Sequence, residues 1–151
     1  MKWLIRVCIV AVVMMSAAVE AREPSVVGRW TNEAGNAVIA VSIAADGTLK
    51  GVGAVGGANP DRRDVHNPDP KLRDRKLLGA LIMWGFKPDN EEKTKWVGGQ
   101  IYDPDNGKTY DCKLRLEDGK LRIRGYVGIS WFGRTTVWTR KSKADADGQP
   151  R

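Results

Sequence analysis

The sequence contains few of the residues that build metal sites, disulfide scaffolds or catalytic triads. Its 151 residues include two cysteines, Cys8 and Cys112, and one histidine, His66. These are too few for a zinc finger, a Cys-rich scaffold or a His-rich metal site. A catalytic triad would depend on His66, which lies in a Gly-, Pro- and Asp-rich loop and has no evident nucleophile beside it. The sequence therefore predicts no metal, no cofactor and no enzyme activity.

The chain also lacks a membrane-spanning run at its start. Val7–Met15 is an apolar segment of nine residues, whereas a helix needs about 20 residues to cross a hydrocarbon core. Lys2 and Arg6 supply positive charge before it, and Val19-Glu20-Ala21 has the small-x-Ala form that signal peptidase accepts. Residues 1–21 are therefore predicted to be a cleaved signal peptide, and the protein is expected to be periplasmic or secreted.

Cleavage would leave Cys112 as the only cysteine. Cys8 follows Arg6-Val7 inside the apolar run, where a lipoprotein signal needs a small residue, so lipid attachment is not expected. A single cysteine forms no intramolecular disulfide. Cys112 is predicted to be a small apolar core residue.

The rest of the chain alternates apolar and polar residues with a period of two, which is typical of β-strands. Thr109–Glu117 is the clearest example, and Asp118-Gly119 after it is the signal for a two-residue hairpin turn. Gly-, Asn- and Asp-rich turns separate similar segments. The predicted strands are Ser25–Asn32, Ala37–Ala44, Leu49–Val55, Leu77–Phe86, Lys95–Tyr102, Thr109–Glu117, Lys120–Tyr126 and Arg134–Arg140.

These strands favour a closed sheet. Strands do not alternate with helices, which argues against a parallel α/β fold, and closure removes the exposed edges of an open sheet. We predict an all-β fold: an eight-stranded antiparallel up-and-down barrel over residues 22–140, followed by a polar tail over residues 141–151. Eight strands leave room for filling side chains or for one small ligand.

Leu77–Phe86 differs from the other segments because it is apolar on both faces. A strand covered on both sides explains this pattern. The alternative is an exposed outer face through which two copies form a homodimer.

Two short motifs at the ends of the predicted barrel resemble the lipocalin signature. Gly28-Arg29-Trp30 lies in the first strand and Trp138-Thr139-Arg140 in the last. The resemblance implies that the Trp30 indole closes one end of the barrel beneath an arginine of the last strand. The Arg140 guanidinium would then make a cation–π contact with Trp30. The implied closure residues are Gly28, Trp30, Trp138 and Arg140.

Longer motifs extend over nearly the whole exported chain. They are Asn67-Pro68-Asp69, Leu72-Arg73-x-Arg75, Leu77-x-Gly79, Trp96-x-Gly98-Gly99-x-Ile101-Tyr102-Asp103-Pro104, Gly107-Lys108-Thr109-Tyr110, Arg124-Gly125-Tyr126-Val127-Gly128 and Phe132-Gly133-Arg134-Thr135. Together they resemble DUF2147, a family of small secreted bacterial proteins. The resemblance implies a lipocalin-like barrel in or outside the bacterial envelope, and it implies no activity. Many members carry a cysteine pair around the second hairpin, which this chain lacks.

The predicted function is non-enzymatic binding of a small apolar or amphipathic ligand inside the barrel. Strand alternation places three glycines on the side of the core residues: Gly51, Gly53 and Gly98. Glycines there would leave more space in the interior, although glycine also permits strand bending. Apolar walls with a few polar groups are typical of ligand pockets. The alternative is an envelope structural or interaction protein whose side chains fill the barrel and which acts through its outer surface. The predicted ligand-binding residues are Trp96, Tyr102 and Tyr110.

The turn after the fifth predicted strand offers oxygens for calcium at Asp103, Asp105 and Asn106. An EF-hand loop would also need a glutamate at position 114, which is leucine. An Asx-rich hairpin turn is therefore the preferred interpretation.

Positive charge exceeds negative charge, with 25 Lys and Arg against 18 Asp and Glu and a net charge of +7. A solvated barrel face explains the excess, and peripheral contact with an anionic envelope surface is the alternative. Nucleic acid is not an expected partner, because the signal peptide exports the chain. The basic residues on the predicted strand exteriors are Lys113, Arg115, Lys120, Arg122 and Arg124.

We expect the exported protein to begin at Arg22, because the charged start, the apolar run and Val19-Glu20-Ala21 direct cleavage after Ala21. The intact mass of protein isolated from a periplasmic extract measures this directly. A mass that retains residues 1–21 would contradict the prediction.

Overall fold

The sheet closes on itself. In the computed structural model, which describes residues 25–126 and 133–142, eight antiparallel strands form a closed barrel in chain order. β8 pairs with both β7 and β1, so the described sheet has no exposed edge. The predicted all-β barrel is confirmed. The strands are β1 (Gly28–Thr31), β2 (Val38–Ile43), β3 (Leu49–Ala54), β4 (Leu81–Pro88), β5 (Lys95–Asp103), β6 (Lys108–Glu117), β7 (Lys120–Tyr126) and β8 (Arg134–Arg140).

Parts of the sequence-based interpretation concern residues that are not described. The predicted signal peptide, residues 1–21, lies outside the described ranges, and so do residues 143–151 of the predicted tail. Cleavage and export therefore stay predictions.

The fourth strand begins at Leu81 and not, as predicted, at Leu77. Residues 77–80 instead turn across the end of β3, where the Gly79 N–H donates to the Gly53 carbonyl (2.8 Å) and the Gly53 N–H donates to the Ala80 carbonyl (3.0 Å). The apolar run thus contributes to a turn as well as to a strand. A homodimer through this segment stays a prediction.

A bulge at Gly98 changes which residues of β5 face the interior. Gly98 has a φ of 71°, and the register with β6 shifts between Trp96 and Gly99. Gly98 is exposed, whereas Gly99 is buried against Phe86. The prediction that Gly98 faces the interior is therefore wrong, because side-chain alternation breaks at a bulge.

The barrel has a closed end and an open end. The closed end carries residues 25–27 and the β2–β3, β4–β5 and β6–β7 turns. The open end carries the β1–β2 turn, the β5–β6 turn and residues 55–80, which join β3 to β4 and are called the mouth loop below. The mouth loop contains a short 3₁₀ helix, Pro70–Leu72.

Large side chains fill the half of the interior next to the closed end. A Cβ at Gly51 would lie 2.5 Å from Met83 Cγ, and a Cβ at Gly99 would overlap the Phe86 ring. The inference that Gly51 empties the interior is therefore wrong, because Met83 takes the space. Burial of each such side chain stabilises the fold by about 1.5–3 kcal/mol. The fully buried apolar side chains include Trp30, Met83, Phe86, Leu114 and Leu121.

Trp30 and Arg140 meet at the closed end, as the likeness to lipocalins implies. Trp30 is fully buried, and its indole N–H donates to the Val26 carbonyl (2.8 Å). The Arg140 guanidinium carbon lies 4.3 Å from the centroid of the Trp30 ring. Arg140 also donates to the carbonyls of Val27 (3.2 Å) and Ser25. One side chain thus joins β8 to β1 and to the segment that precedes it.

Gly28 makes this arrangement possible. Its φ is 143°, and a Cβ at this position would lie 2.5 Å from Arg140 Nη1. Glycine therefore lets the guanidinium approach the chain between Ser25 and Trp30.

We expect Arg140→Ala to lower the free energy of unfolding by about 1–2 kcal/mol, because it removes the cation–π contact and the packing on Trp30. Chemical denaturation measures the change. Arg122→Ala is the matched control, since Arg122 forms an exposed ion pair with Glu117, and such pairs contribute about 0–1 kcal/mol. An equal effect of both substitutions would show that Arg140 has no special role in closure.

Candidate ligand-binding cavity

No described side chain fills the half of the interior next to the open end. This half forms a cavity of about 730 Å³ that opens between the mouth loop and the turns at the open end. Ile101 and Tyr110 are directly paired across β5 and β6, and both border the cavity. Trp138 of β8 is buried and also borders the cavity. Other residues of the wall are Ile39, Cys112, Ile123, Gly125, Tyr126 and Thr136.

Away from the mouth, the described residues of the wall carry no ionisable side chain except Cys112 and the tyrosines. Cys112 is a free, buried thiol. Burial, and to a lesser degree the negative charge of Asp111, raises the pKa of the Cys112 thiol to about 12. The sulfur is therefore protonated at neutral pH, and it contributes an apolar surface and not a nucleophile.

Charged side chains border the cavity only near its mouth. They are three carboxylates, Glu33, Asp103 and Asp105, and two guanidiniums, Arg62 and Arg134. Arg62 pairs with Asp105, and Arg134 Nη2 lies 3.4 Å from Glu33 Oε2. These five side chains thus carry a net charge of −1, in contrast to the net positive charge of the whole chain.

The mouth loop is attached to the barrel at both neighbouring turns. Near its start, the Ala58 N–H donates to the Asn36 carbonyl in the β1–β2 turn (3.1 Å). Arg62 reaches Asp105 in the β5–β6 turn. A Cβ at Gly107 of that turn would overlap the His66 carbonyl, so the loop and the turn are in close contact.

Asp64 is the buried polar anchor of the mouth loop. Its side chain is fully buried and accepts hydrogen bonds from the hydroxyl of Tyr102 (2.5 Å), from Asn67 Nδ2 (2.7 Å) and from Arg75 Nε (2.9 Å). Arg75 also forms an ion pair with Asp64 (2.8 Å). The Asp64 carboxylate therefore joins positions 64, 67 and 75 of the mouth loop to Tyr102 of β5.

Two opposing effects act on the Asp64 carboxyl. Burial by itself raises its pKa, but the hydrogen bonds from Tyr102, Asn67 and Arg75 outweigh burial and hold the pKa below its usual value. Burial and the bond to Asp64 raise the pKa of Tyr102 to about 12. Because the folded-state pKa of Asp64 is lowered, its stabilising effect is complete above the unfolded value of about 4 and is lost as the pH falls through the folded value.

The predicted ligand-binding residues do not lie together. Tyr110 borders the cavity. Tyr102 borders its mouth, but its hydroxyl is bonded to Asp64. Because Ile101 shares a face with Tyr110, the neighbouring Tyr102 side chain points to the other face of the sheet. Its position makes Tyr102 an anchor for the mouth loop.

Trp96 does not border this cavity, so the expectation that it does is wrong. It borders a smaller depression of about 290 Å³ at the closed end, with Pro88, Lys93 and Leu116. The bulge at Gly98 separates Trp96 from the part of β5 that borders the cavity. Among the described tryptophans, Trp138 borders the cavity, although the sequence analysis assigned it to barrel closure.

The carboxylate oxygens of the Asx-rich β5–β6 turn already bond to neighbouring groups of the protein. Asp103 accepts from the Asp105 N–H (2.9 Å) and from Asn106 Nδ2 (2.9 Å), and Asp105 pairs with Arg62. Across residues 25–126 and 133–142, no group of three or more His, Cys, Asp or Glu side chains is placed to hold a metal ion. Within the same ranges, no helix is long and apolar enough to cross a membrane.

Comparison with known proteins identifies a family and a fold. Residues 28–140 match DUF2147, which is described as "Uncharacterized protein conserved in bacteria". The structure is similar to that of protein HP1028 from the human pathogen Helicobacter pylori, which is described as belonging to the lipocalin family. The identity is 22%, the TM-score is 0.69, and the likeness covers 82% of this chain and 87% of that chain. No curated protein matches the sequence significantly. The barrel is therefore lipocalin-like.

We expect Tyr102→Phe to loosen the mouth loop, because it removes one donor from the buried Asp64 carboxylate at a cost of about 1–3 kcal/mol. Hydrogen exchange should become faster at residues 62–77 and stay unchanged in β7. Tyr126→Phe is the matched control, since no hydrogen bond of the Tyr126 hydroxyl is present among the described residues. Equal protection of the loop in both variants would contradict the role of Tyr102.

Proposed function

The chain belongs to the bacterial family DUF2147, and on this premise we propose that it binds a small apolar or amphipathic ligand in the open half of its barrel. In this proposal the protein is exported, acts in the periplasm or outside the cell, and carries its ligand without transforming it.

The observation that carries the proposal is the division of the barrel interior into a filled half and an empty half. Pockets for small molecules have volumes of about 300–1,000 Å³ and mostly apolar walls, and the cavity of about 730 Å³ lies in this range. Ile39, Ile101, Ile123 and Trp138 supply the apolar surface. Charge is confined to the mouth, so a bound molecule would be apolar along most of its length.

The alternative function is that of an envelope interaction protein that acts through its outer surface. Lys113 is directly opposite Arg124, and Arg115 is directly opposite Arg122, on the outer face of β6 and β7. Such a surface would favour an anionic envelope. Ion pairs of Arg115 with Glu92 and of Arg122 with Glu117 offset part of this charge, so the outer surface supports this function less strongly than the cavity supports binding.

We expect Nile red, an uncharged apolar dye, to bind the protein with increased dye fluorescence and to quench tryptophan emission through Trp138. Gly125→Leu should weaken this binding at least about tenfold, because the new side chain occupies space that the ligand would fill. A Cβ at Gly125 would meet Cys112 Sγ at 3.5 Å and Tyr110 Cβ at 3.8 Å. These are ordinary contacts, so the barrel should accept the substitution.

Thr135→Leu is the control, because it adds an apolar side chain at an exposed position of the same β7–β8 pair. If Nile red binds neither the original protein nor the control variant, the cavity does not take apolar molecules and the outer-surface function is preferred. If Gly125→Leu binds the dye unchanged, the dye binds outside the barrel.

A further inference from the structure

Each guanidinium that borders the cavity already has a carboxylate partner. Arg62 is paired with Asp105 and Arg134 with Glu33. The remaining charged group is the carboxylate of Asp103. The segment 127–132, between β7 and β8, contains no ionisable residue in its sequence. A ligand carboxylate at the mouth would therefore have to break an ion pair and approach Asp103, both of which cost free energy.

The mouth offers a neutral hydrogen-bond donor instead. Asn106 Nδ2 donates to the Tyr110 hydroxyl oxygen (3.0 Å) and to Asp103 (2.9 Å), and the Asn106 side-chain oxygen accepts from the Lys108 N–H (2.9 Å). Asn106 thereby holds the Tyr110 oxygen as an acceptor. A phenol has one hydrogen to donate, and the Tyr110 hydrogen is left for an acceptor atom in the cavity.

A cationic head would leave the Tyr110 hydrogen without an acceptor. An ammonium group has donors and no acceptor, so it cannot accept from Tyr110. Asp103, which has no ionic partner among the described residues, accepts hydrogen bonds from the backbone of Asp105 and from Asn106.

We propose that the polar head of the ligand is an uncharged hydrogen-bond acceptor, such as an alcohol, an ester or an amide, and that Tyr110 donates to it while Asp103, Asp105 and Glu33 exclude carboxylates. This inference rests on the proposed function. It specifies the ligand class beyond "apolar or amphipathic", and it separates free fatty acids from their neutral derivatives.

Displacement of Nile red at pH 8 by molecules with the same alkyl chain tests the proposal. The probes are 1-dodecanol, dodecanoate and dodecylammonium, which are neutral, negative and positive at this pH. We expect dodecanol to displace the dye at concentrations about tenfold lower than either charged molecule. The carboxylates repel dodecanoate, and dodecylammonium leaves the Tyr110 hydrogen without an acceptor.

A charge-neutralising variant at the mouth gives a second, independent readout. Asp105→Asn leaves the charge of Arg62 without compensation, so dodecanoate should bind several-fold more tightly than to the original protein. Asp118→Asn is the matched control. It makes the same change of charge in the β6–β7 turn at the closed end and should leave dodecanoate binding unchanged.

The outcomes distinguish this inference from the proposed function. If dodecanoate or dodecylammonium displaces Nile red as well as dodecanol does, the cavity binds apolar molecules but the neutral-head inference is wrong. The same holds if Asp105→Asn and Asp118→Asn behave alike with dodecanoate. If Nile red itself does not bind, both the inference and the proposed function are wrong.

Discussion

The closure of the sheet between β1 and β8 is the interaction on which the rest of the structure depends. The two strands are joined by two residue pairs, Trp30 with Arg140 and Thr31 with Thr139. So short a pairing is stabilised by side chains as well as by backbone hydrogen bonds. Arg140 lies over the Trp30 ring and donates to the chain before β1. Without the pairing of β1 with β8 the sheet would have two free edges and an interior open to water.

Once the sheet is closed, the sizes of its inward side chains decide how the interior is used. Near the closed end, glycines face large neighbours: Met83 lies over Gly51, and Phe86 lies over Gly99. Near the open end, a Cβ at Gly125 would make ordinary contacts, and Gly125 borders the cavity. An inward glycine therefore makes room for a large neighbour in the filled half, whereas in the other half it leaves space for the cavity. This difference separates a hydrophobic core from a binding cavity within one barrel.

At the mouth, a buried carboxylate attaches the loop to the barrel, and ion pairs neutralise the guanidiniums that border the cavity. Asp64 is fully buried, and its hydrogen bonds from Tyr102, Asn67 and Arg75 offset the cost of burying its charge. Arg62 and Arg134, the guanidiniums that border the cavity, are paired with Asp105 and Glu33. The loop and the turns thus form a polar mouth in which both described guanidiniums that border the cavity are paired with carboxylates. Such a mouth suits a ligand with a neutral head, as proposed above.

Much of the architecture could be predicted from the sequence, because strands are encoded locally. The period-two alternation of Thr109–Glu117 identifies β6 and its inward residues, Tyr110 among them, without knowledge of any neighbour. The Gly28-Arg29-Trp30 and Trp138-Thr139-Arg140 motifs likewise suggest closure, because both elements of the contact lie in short motifs. Identification of the family and the lipocalin-like barrel follows from such local patterns.

Only the tertiary structure decided where the cavity lies and what surrounds it. Trp96 lies opposite the inward residue Leu114 but towards the closed end, so it misses the cavity. The face of Tyr102 was mispredicted because the bulge at Gly98 breaks the alternation, and a bulge depends on how β5 pairs with β6. Asp64, Asn67, Arg75 and Tyr102 are dispersed along the chain, so no sequence pattern indicates that they form one buried cluster. Whether an inward glycine leaves a void depends on the neighbour across the barrel, as Met83 at Gly51 shows. The sequence by itself determined the strands and their closure, whereas the cavity arises from packing between residues far apart in the chain.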